Sequence, residues 1–202
     1  MRAHDPATPI IPTPERAAAL GLRLKQIRKE RRWTQGGLSA RCGVAASTIS
    51  KVENNQLSPS FETILRLAEG LGVDVTDLLA PSSENAPKTR RVITRKGEGE
   101  RHDTHAYVYE FLCTELKTKQ MHPLIARLRA HSIKEFGPLL HHPGEELLLV
   151  LKGRVELHTE HYQPVTLAEG DCAYLDSSMG HGCISADDQD AIVFWVSMVT
   201  ER

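Results

Sequence analysis

The first half of the chain has apolar residues at helical spacing. Between residues 17 and 79 they recur every three or four positions, as Leu20, Leu24 and Ile27 do on one helix face. The periodic segments are short and are separated by residues that cap helices. This pattern predicts a compact all-α domain of five helices.

Residues typical of helix ends place the boundaries of these helices. Thr34 is predicted to cap the second helix and Gly43 to end it, and a third helix is expected from about Ala46 to Asn54. Ser58-Pro59 is predicted to supply the N-cap and first residue of the fourth helix. Asp74 is expected to cap a short fifth helix.

From residue 106 onward the pattern is typical of β-strands. Residues 124–131 alternate with a period of two, and residues 107–112 are aromatic and branched. Residues 146–151 are nearly all apolar, which predicts a strand covered on both faces. Further strands are predicted at residues 165–167, 171–175 and 192–198. One short strand is also predicted before this region, at residues 91–95. Many short strands with glycine-containing turns predict a sandwich or barrel.

Composition divides the chain into four segments. We expect a disordered, proline-rich tail over residues 1–16, a helical domain over 17–80, a linker over 81–103 and a β-domain over 104–202. No apolar run approaches the roughly 20 residues that span a bilayer, and the N-terminus lacks the apolar segment of a secretory signal. The four cysteines lack metal-binding spacing and are expected to be reduced thiols. These features predict a cytoplasmic protein that does not engage a membrane.

The charges are distributed unevenly. Residues 1–101 carry 17 Lys and Arg against 11 Asp and Glu, whereas residues 102–202 carry 8 against 15. A basic half joined to an acidic half predicts that the N-terminal domain meets a polyanion. The alternative is a chance segregation of surface charge.

The segment from Trp33 to Asn54 resembles the helix-turn-helix of phage repressors and their bacterial relatives, the XRE type. The family packs its two helices at four apolar positions, here Leu38, Val44, Ile49 and Val52. Gly43 stands in the turn, where a left-handed residue is needed. The resemblance covers about residues 17–80 and implies a DNA-binding domain.

By this resemblance, the second helix of the motif enters the major groove of double-stranded DNA. The residues implied to contact DNA are Gln35, Ala46, Ser47, Thr48, Ser50 and Lys51. Gln35 and Lys51 would contact phosphates, with Arg31, Arg32 and Arg41 as further candidates. Short Ser and Thr side chains carry little base information, so specificity is expected from dimer spacing and DNA shape. The alternative is a helical domain that has kept the fold and lost DNA binding.

Two further segments resemble the motifs of the cupin family. Residues His141 to Gly153 match the first cupin motif, and Gly170 to His181 match the second. The resemblance covers about residues 106–200 and implies an all-β cupin barrel, or jelly roll. The expected fold class is therefore a multidomain α + β protein.

A candidate metal site follows from these motifs. His142 and Glu146 are four apart on extended chain and therefore share a face, where His181 can join them. Two imidazoles and one carboxylate suit Fe(II), and also Zn, Mn, Ni or Co. Leu140 replaces the first histidine of the family's motif, so three of the usual four ligands remain. The alternative is a pocket that has lost its metal and binds an organic ligand through the same three side chains.

The same two-domain layout is similar to that of the nonhaem iron hydroxypropylphosphonate epoxidases. Their Tyr-x-Tyr strand is matched by Tyr107 and Tyr109, which are candidate pocket residues. Arg127 and Arg129 share a strand face and would bind a carboxylate or phosphonate if that face lined the pocket. The alternative for the two arginines is a solvated face.

Two functions are therefore weighed. The first is a DNA-binding regulator without catalytic residues, whose cupin domain binds a small-molecule effector, a divalent metal or both. Such a protein is expected to act as a homodimer or higher homo-oligomer on a palindromic operator, with Leu147, Leu149 and Leu151 as candidates for the dimer interface. The second is a nonhaem iron oxidase or epoxidase acting on a small anionic substrate. The apolar Leu139 and Leu140 disfavour a charged phosphonate.

Overall fold

A computed structural model of the chain describes residues 14–79, 90–116 and 119–198. Residues 14–79 form five helices, confirming the predicted architecture: α1 (Pro14–Glu30), α2 (Gln35–Cys42), α3 (Ala46–Glu53), α4 (Phe61–Leu71) and α5 (Val75–Leu79). Since α1 begins at Pro14, it extends into the predicted tail. Residues 1–13 of that tail lie outside the described residues.

The predicted caps of the helical domain are mostly confirmed. Thr34 caps α2 by accepting the N–H of Gly37 at 2.9 Å, and Gly43 ends that helix at φ 65°. Asp74 accepts the N–H of Thr76 at 2.8 Å, at the start of α5. The apolar faces of the helices meet in one core, to which Leu24, Leu38, Ile49 and Ile64 contribute fully buried side chains.

The predicted start of the fourth helix is wrong. Its N-cap is Ser60, whose hydroxyl accepts the N–H of Thr63 at 3.3 Å, and the helix begins at Phe61. Ser58 and Pro59 instead form hydrogen bonds to the β-domain. The cap is displaced because these two residues have long-range partners.

The described part of the β-domain contains nine strands and a short helix: β1 (Glu100–Asp103), β2 (Tyr107–Phe111), β3 (Met121–Leu128), α6 (Ile133–Phe136), β4 (Glu145–Lys152), β5 (Val155–Thr159), β6 (Tyr162–Leu167), β7 (Cys172–Asp176), β8 (His181–Ser185) and β9 (Ala191–Met198). The strands form a six-stranded sheet in the order β1-β2-β3-β9-β4-β7 and a three-stranded sheet in the order β6-β5-β8. All the pairings are antiparallel. This arrangement is the jelly-roll type of the cupins, built here from two separate sheets.

Two predictions about the linker are corrected. Residues 91–95 form no strand, and β1 lies within the segment predicted to be linker. Because β1 has the charged sequence Glu-Arg-His-Asp and lies at a sheet edge, it carries no apolar alternation that would identify it. Residues 80–89 of the predicted linker lie outside the described residues.

The larger sheet has one buried face and one partly exposed apolar face. Along β4, Leu148 and Val150 are buried, whereas Leu147 is 38% exposed and Leu151 is 41% exposed. The prediction that this strand is covered on both faces is therefore wrong for the described residues of a single chain. The outer face also includes Tyr174 of β7, which is 64% exposed.

Candidate functional site

The outer face of α3 is the candidate DNA-contacting surface. Ile49 and Val52 are buried against the domain, whereas Ser47 and Lys51 are exposed one turn apart. The other predicted groove residues, Ala46, Thr48 and Ser50, are half-buried on the same helix. Five of the six predicted DNA-contacting residues therefore lie on one short helix, and their contacts with DNA stay predictions.

A buried ion pair fixes the end of α3. Arg28 of α1 donates to both carboxylate oxygens of Glu53, with Nε–Oε1 at 2.6 Å and Nη2–Oε2 at 2.8 Å. Gln35 of α2 donates to the same carboxylate at 2.9 Å. Burial raises the pKa of Glu53, but the hydrogen bonds from Arg28 and Gln35 outweigh burial and lower the pKa. Helices α1, α2 and α3 are thus joined at Glu53, and the amide of Gln35 donates to a buried carboxylate within the domain.

Basic side chains flank the motif. The guanidinium of Arg41 lies 4.1 Å from the centroid of the Trp33 ring, and that of Arg31 lies 5.6 Å from it. Arg32 is exposed and has φ 57°, outside the helical region. Stacking on an aromatic ring orients a guanidinium while leaving its charge available. The candidates for phosphate contact therefore surround α2.

His142, Glu146 and His181 converge inside the β-domain, as the motifs predict. Nε2 of His142 lies 2.8 Å from Oε1 of Glu146, and Nε2 of His181 lies 3.3 Å from Oε2. The three side chains are each 3% exposed, and their ligand atoms lie within 4.8 Å of one another. His142 precedes β4, Glu146 belongs to β4 and His181 begins β8, so both sheets contribute to the group.

Hydrogen bonds at the far side of each ring orient the two histidines. Nδ1 of His142 lies 3.3 Å from the carbonyl of Pro143, and Nδ1 of His181 lies 2.9 Å from that of Met179. A carbonyl only accepts, so each Nδ1 carries a proton. Each Nε2 then offers a lone pair to a metal, or a second proton to Glu146. This carbonyl support is the usual arrangement around metal-bound histidines.

The charge balance of this buried group fits a divalent cation. Glu146 brings a buried negative charge to the group, and a divalent cation held by the three side chains would neutralise it. Burial raises the pKa of Glu146, but the hydrogen bonds from the two histidines lower it to about 2. Burial lowers the pKa of His181, but the hydrogen bond to Glu146 outweighs it and raises the pKa. The three residues therefore have the donor types and the charge that hold a divalent metal.

Three further buried side chains lie beside these residues, and none of them is predicted from the sequence to be a site residue. Trp195 of β9 donates its indole N–H to Oε2 of Glu146 at 2.7 Å. Ser197 pairs directly with Glu146 in the sheet register, and Ser177 follows β7 on the other side of β4. Both hydroxyls are fully buried, and neither has a hydrogen-bond partner among the described residues. They leave hydrogen-bonding capacity for a molecule bound beside the three candidate ligands.

The predicted pocket residues separate into two groups. Tyr107 and Tyr109 are buried in the β-domain, and the hydroxyl of Tyr107 donates to the carbonyl of Cys183 at 2.8 Å. Arg127 and Arg129 are exposed, because they alternate with the buried Leu124, Ala126 and Leu128 along β3. Arg129 forms an ion pair with Asp103 at 3.1 Å. The two arginines thus lie on a solvated face of β3 and do not line the interior of the β-domain.

Two histidines without motif spacing are also buried. His102 is 6% exposed and His122 is 8% exposed. His122 pairs with Ser197 in the sheet register, which places it in the same cross-strand row as Glu146. Burial and the charge of Lys119 lower the pKa of His122 to about 4, against an opposing effect of Asp74. The sequence indicates the burial of His122 only because this residue alternates in step with the apolar Leu124 and Ala126 along β3.

Comparisons with known proteins agree with both domains. Residues 24–78 match the helix-turn-helix family, and residues 133–197 match the cupin domain family. The helix-turn-helix region is 31% identical over 71 residues to the uncharacterized HTH-type transcriptional regulator y4dJ of Sinorhizobium fredii, covering 35% of this chain and 92% of that protein. It is also 31% identical over 71 residues to the transcriptional regulator SutR of Escherichia coli. That match covers 35% of this chain and 40% of the relative.

A solved structure shares the fold of both domains. The HTH_3 family transcriptional regulator from Vibrio cholerae superimposes with a TM-score of 0.62 at 16% identity, over 93% of this chain and 99% of that one. The chain belongs to the family of helix-turn-helix transcriptional regulators, and it joins that domain to a cupin domain. No helix among the described residues is long and apolar enough to cross a membrane.

Proposed function

We propose that this protein is a sequence-specific DNA-binding regulator, in which the β-domain senses a divalent metal, a small effector or both. The observation that carries the proposal is the outer face of α3. It presents Ser47 and Lys51 to solvent while Glu53 locks the helix to α1 and α2. A rigid helix with short polar residues at its start suits insertion into a major groove.

The β-domain supplies the sensing site in this proposal. His142, Glu146 and His181 would hold the metal, and Trp195 would orient the carboxylate. A metal bound there would act as a Lewis acid that attracts an oxygen or nitrogen donor of an effector. The buried hydroxyls of Ser177 and Ser197 would donate hydrogen bonds to the same molecule.

The protein acts as a homodimer in this proposal. A palindromic operator requires two copies of α3, and the outer face of the larger sheet offers an apolar surface for self-association. Leu147, Leu151 and Tyr174 are 38%, 41% and 64% exposed on that face, and Leu149 lies between the two leucines. Exposed apolar patches of this kind mark interaction sites.

An unbiased selection of genomic DNA tests the proposal. Fragments retained by the purified protein are sequenced, and we expect enrichment of one inverted repeat. Ser47→Glu should abolish the enrichment because a carboxylate on the outer face of α3 repels DNA. Ser178→Glu, an equal change at an exposed position of the β-domain, should leave it intact. Retention of fragments without a common motif by the unmodified protein would overturn the proposal.

A nonhaem iron oxidase is the second candidate, and the two histidines and one carboxylate favour it. The surroundings of the site give it less support, since the apolar Leu140 pairs with His181 and both Arg127 and Arg129 are exposed. Oxygen consumption by the iron-loaded protein with small anionic substrates tests this candidate directly.

A further inference from the structure

The loop between α3 and α4 is bound to the β-domain. The carbonyl of Pro59 lies 2.6 Å from Nε2 of His102, and the hydroxyl of Ser58 donates to the carbonyl of Asp103. His102 is 6% exposed, and Pro59 is also buried. Ser58 is five residues after the end of α3, so the contact lies close to the candidate DNA-binding helix.

The first residue of α4 completes an aromatic cluster of the β-domain. Phe61 is 6% exposed, and its ring centroid lies 5.1 Å from that of Phe111 and 6.1 Å from that of Tyr109. Burial raises the pKa of Tyr109, and a hydrogen bond with the backbone of Phe61 opposes that rise.

The same cluster reaches the candidate metal site. Ring centroids are separated by 5.4 Å between Tyr109 and Tyr107, and by 6.3 Å between Tyr107 and Trp195. The indole of Trp195 then donates to Glu146 at 2.7 Å. A continuous series of buried contacts therefore joins Glu146 to Phe61, without passing through solvent.

We infer that Phe61 couples the state of the His142–Glu146–His181 site to the position of α3, so that site occupancy and operator binding influence each other. The inference rests on the proposed function and deepens it. Close-packed aromatic side chains transmit a displacement because they cannot deform gradually. The coupling is reciprocal, since a site that changes DNA affinity must itself be changed by DNA to the same extent.

A double-mutant cycle on operator affinity tests the coupling. Glu146→Gln alters the charge of the site while keeping its shape. Phe61→Leu weakens the packing of this side chain against Tyr109 and Phe111. We expect Glu146→Gln to change the dissociation constant for the selected operator duplex at least about fivefold, the lower end of typical allosteric coupling. In the Phe61→Leu background the same change should have less than about a twofold effect.

Two further variants keep the test interpretable. Tyr109→Phe removes only the hydroxyl that interacts with the Phe61 backbone. It replaces Phe61→Leu in the double-mutant cycle if Phe61→Leu does not fold. We expect it also to reduce the effect of Glu146→Gln. Leu57→Ala, at a 42% exposed position of the same loop, is the matched control and should leave the effect unchanged.

The outcomes separate the coupling from the proposed function. Equal effects of Glu146→Gln in all backgrounds, or no effect in the unmodified protein, would overturn the coupling while operator binding stands. An unmodified protein without preference for any selected duplex would overturn the proposed function, and the coupling with it.

Discussion

The indole nitrogen of Trp195 lies 2.7 Å from the Glu146 oxygen that also faces His181. An outer hydrogen bond of this kind orients a metal-binding carboxylate and typically accounts for a 10- to 100-fold difference in metal affinity. We therefore expect Trp195→Phe to weaken Co²⁺ or Zn²⁺ binding by about 10- to 100-fold, as measured by calorimetric titration. Trp33→Phe, which changes the tryptophan of the helical domain, is the matched control. Equal affinities of the two variants would contradict the role given to the indole.

The ion pair between Arg28 and Glu53 gives a prediction about stability. Both side chains are buried, so Glu53→Gln leaves the Arg28 guanidinium without a counter-charge. Removing one partner of a buried pair costs about 3–5 kcal/mol, and we expect a loss of that order in the free energy of unfolding by urea. Glu69→Gln, at an exposed position of α4, should cost less than about 0.5 kcal/mol. A similar small loss for both variants would show that the pair does not fix α3.

His122 gives a prediction about pH. Its pKa is about 4 in the folded protein and about 6.5 when unfolded, so the unfolded chain binds the proton first as the pH falls. Its contribution is present above pH 6.5 and is lost as the pH falls to 4, by about 3 kcal/mol in total. His122→Gln should make stability less dependent on pH over this range in urea titrations. His105→Gln, at an exposed position, is the control, and a constant offset between the His122→Gln and unmodified curves would contradict the prediction.

Lys51 gives a prediction about DNA binding. An exposed lysine that neutralises one phosphate contributes about −0.9 to the slope of log affinity against log salt. Lys51→Ala should therefore weaken binding of all duplexes similarly and make that slope shallower by about one. Lys152→Ala removes an exposed lysine from the end of β4 and should leave the slope unchanged. If both variants keep the original slope, Lys51 does not contact phosphate.

The apolar outer face gives a prediction about assembly. Tyr174→Lys places a charge on that face, and we expect sedimentation analysis to show a shift from dimer to monomer. Tyr162→Lys makes the same change on the smaller sheet, where Tyr162 is 72% exposed, and should leave a dimer. A dimer that survives Tyr174→Lys unchanged would place the interface elsewhere.

The sequence predicts features that local patterns encode. The apolar spacing and Gly43 predict α2 and α3, and the motif spacing predicts that His142, Glu146 and His181 meet. Features that depend on residues far away in the sequence are not predicted. The α4 cap moves to Ser60 because Ser58 and Pro59 bind the β-domain about 44 residues further along the chain.

The support of the metal site is missed for the same reason. Trp195 reaches Glu146 only because β9 pairs with β4 in a register that the sequence does not reveal. For Arg127 and Arg129 of β3, the sequence predicts that they share a face but not whether that face is buried. Their shared parity was visible in the sequence, but which face of the strand is buried depends on the sheet packed against it.

The central claim is sequence-specific DNA binding. Its most direct test is a fluorescence-anisotropy titration that compares the affinity for a labelled duplex from the DNA upstream of the protein's own gene with the affinity for a scrambled duplex. At physiological salt we expect the native duplex to bind at least about 1,000-fold more tightly, with an affinity that falls steeply as salt rises. Equal binding of both duplexes, with dissociation constants weaker than about 10⁻⁶ M, would contradict the claim and leave the His142–Glu146–His181 site to carry the function.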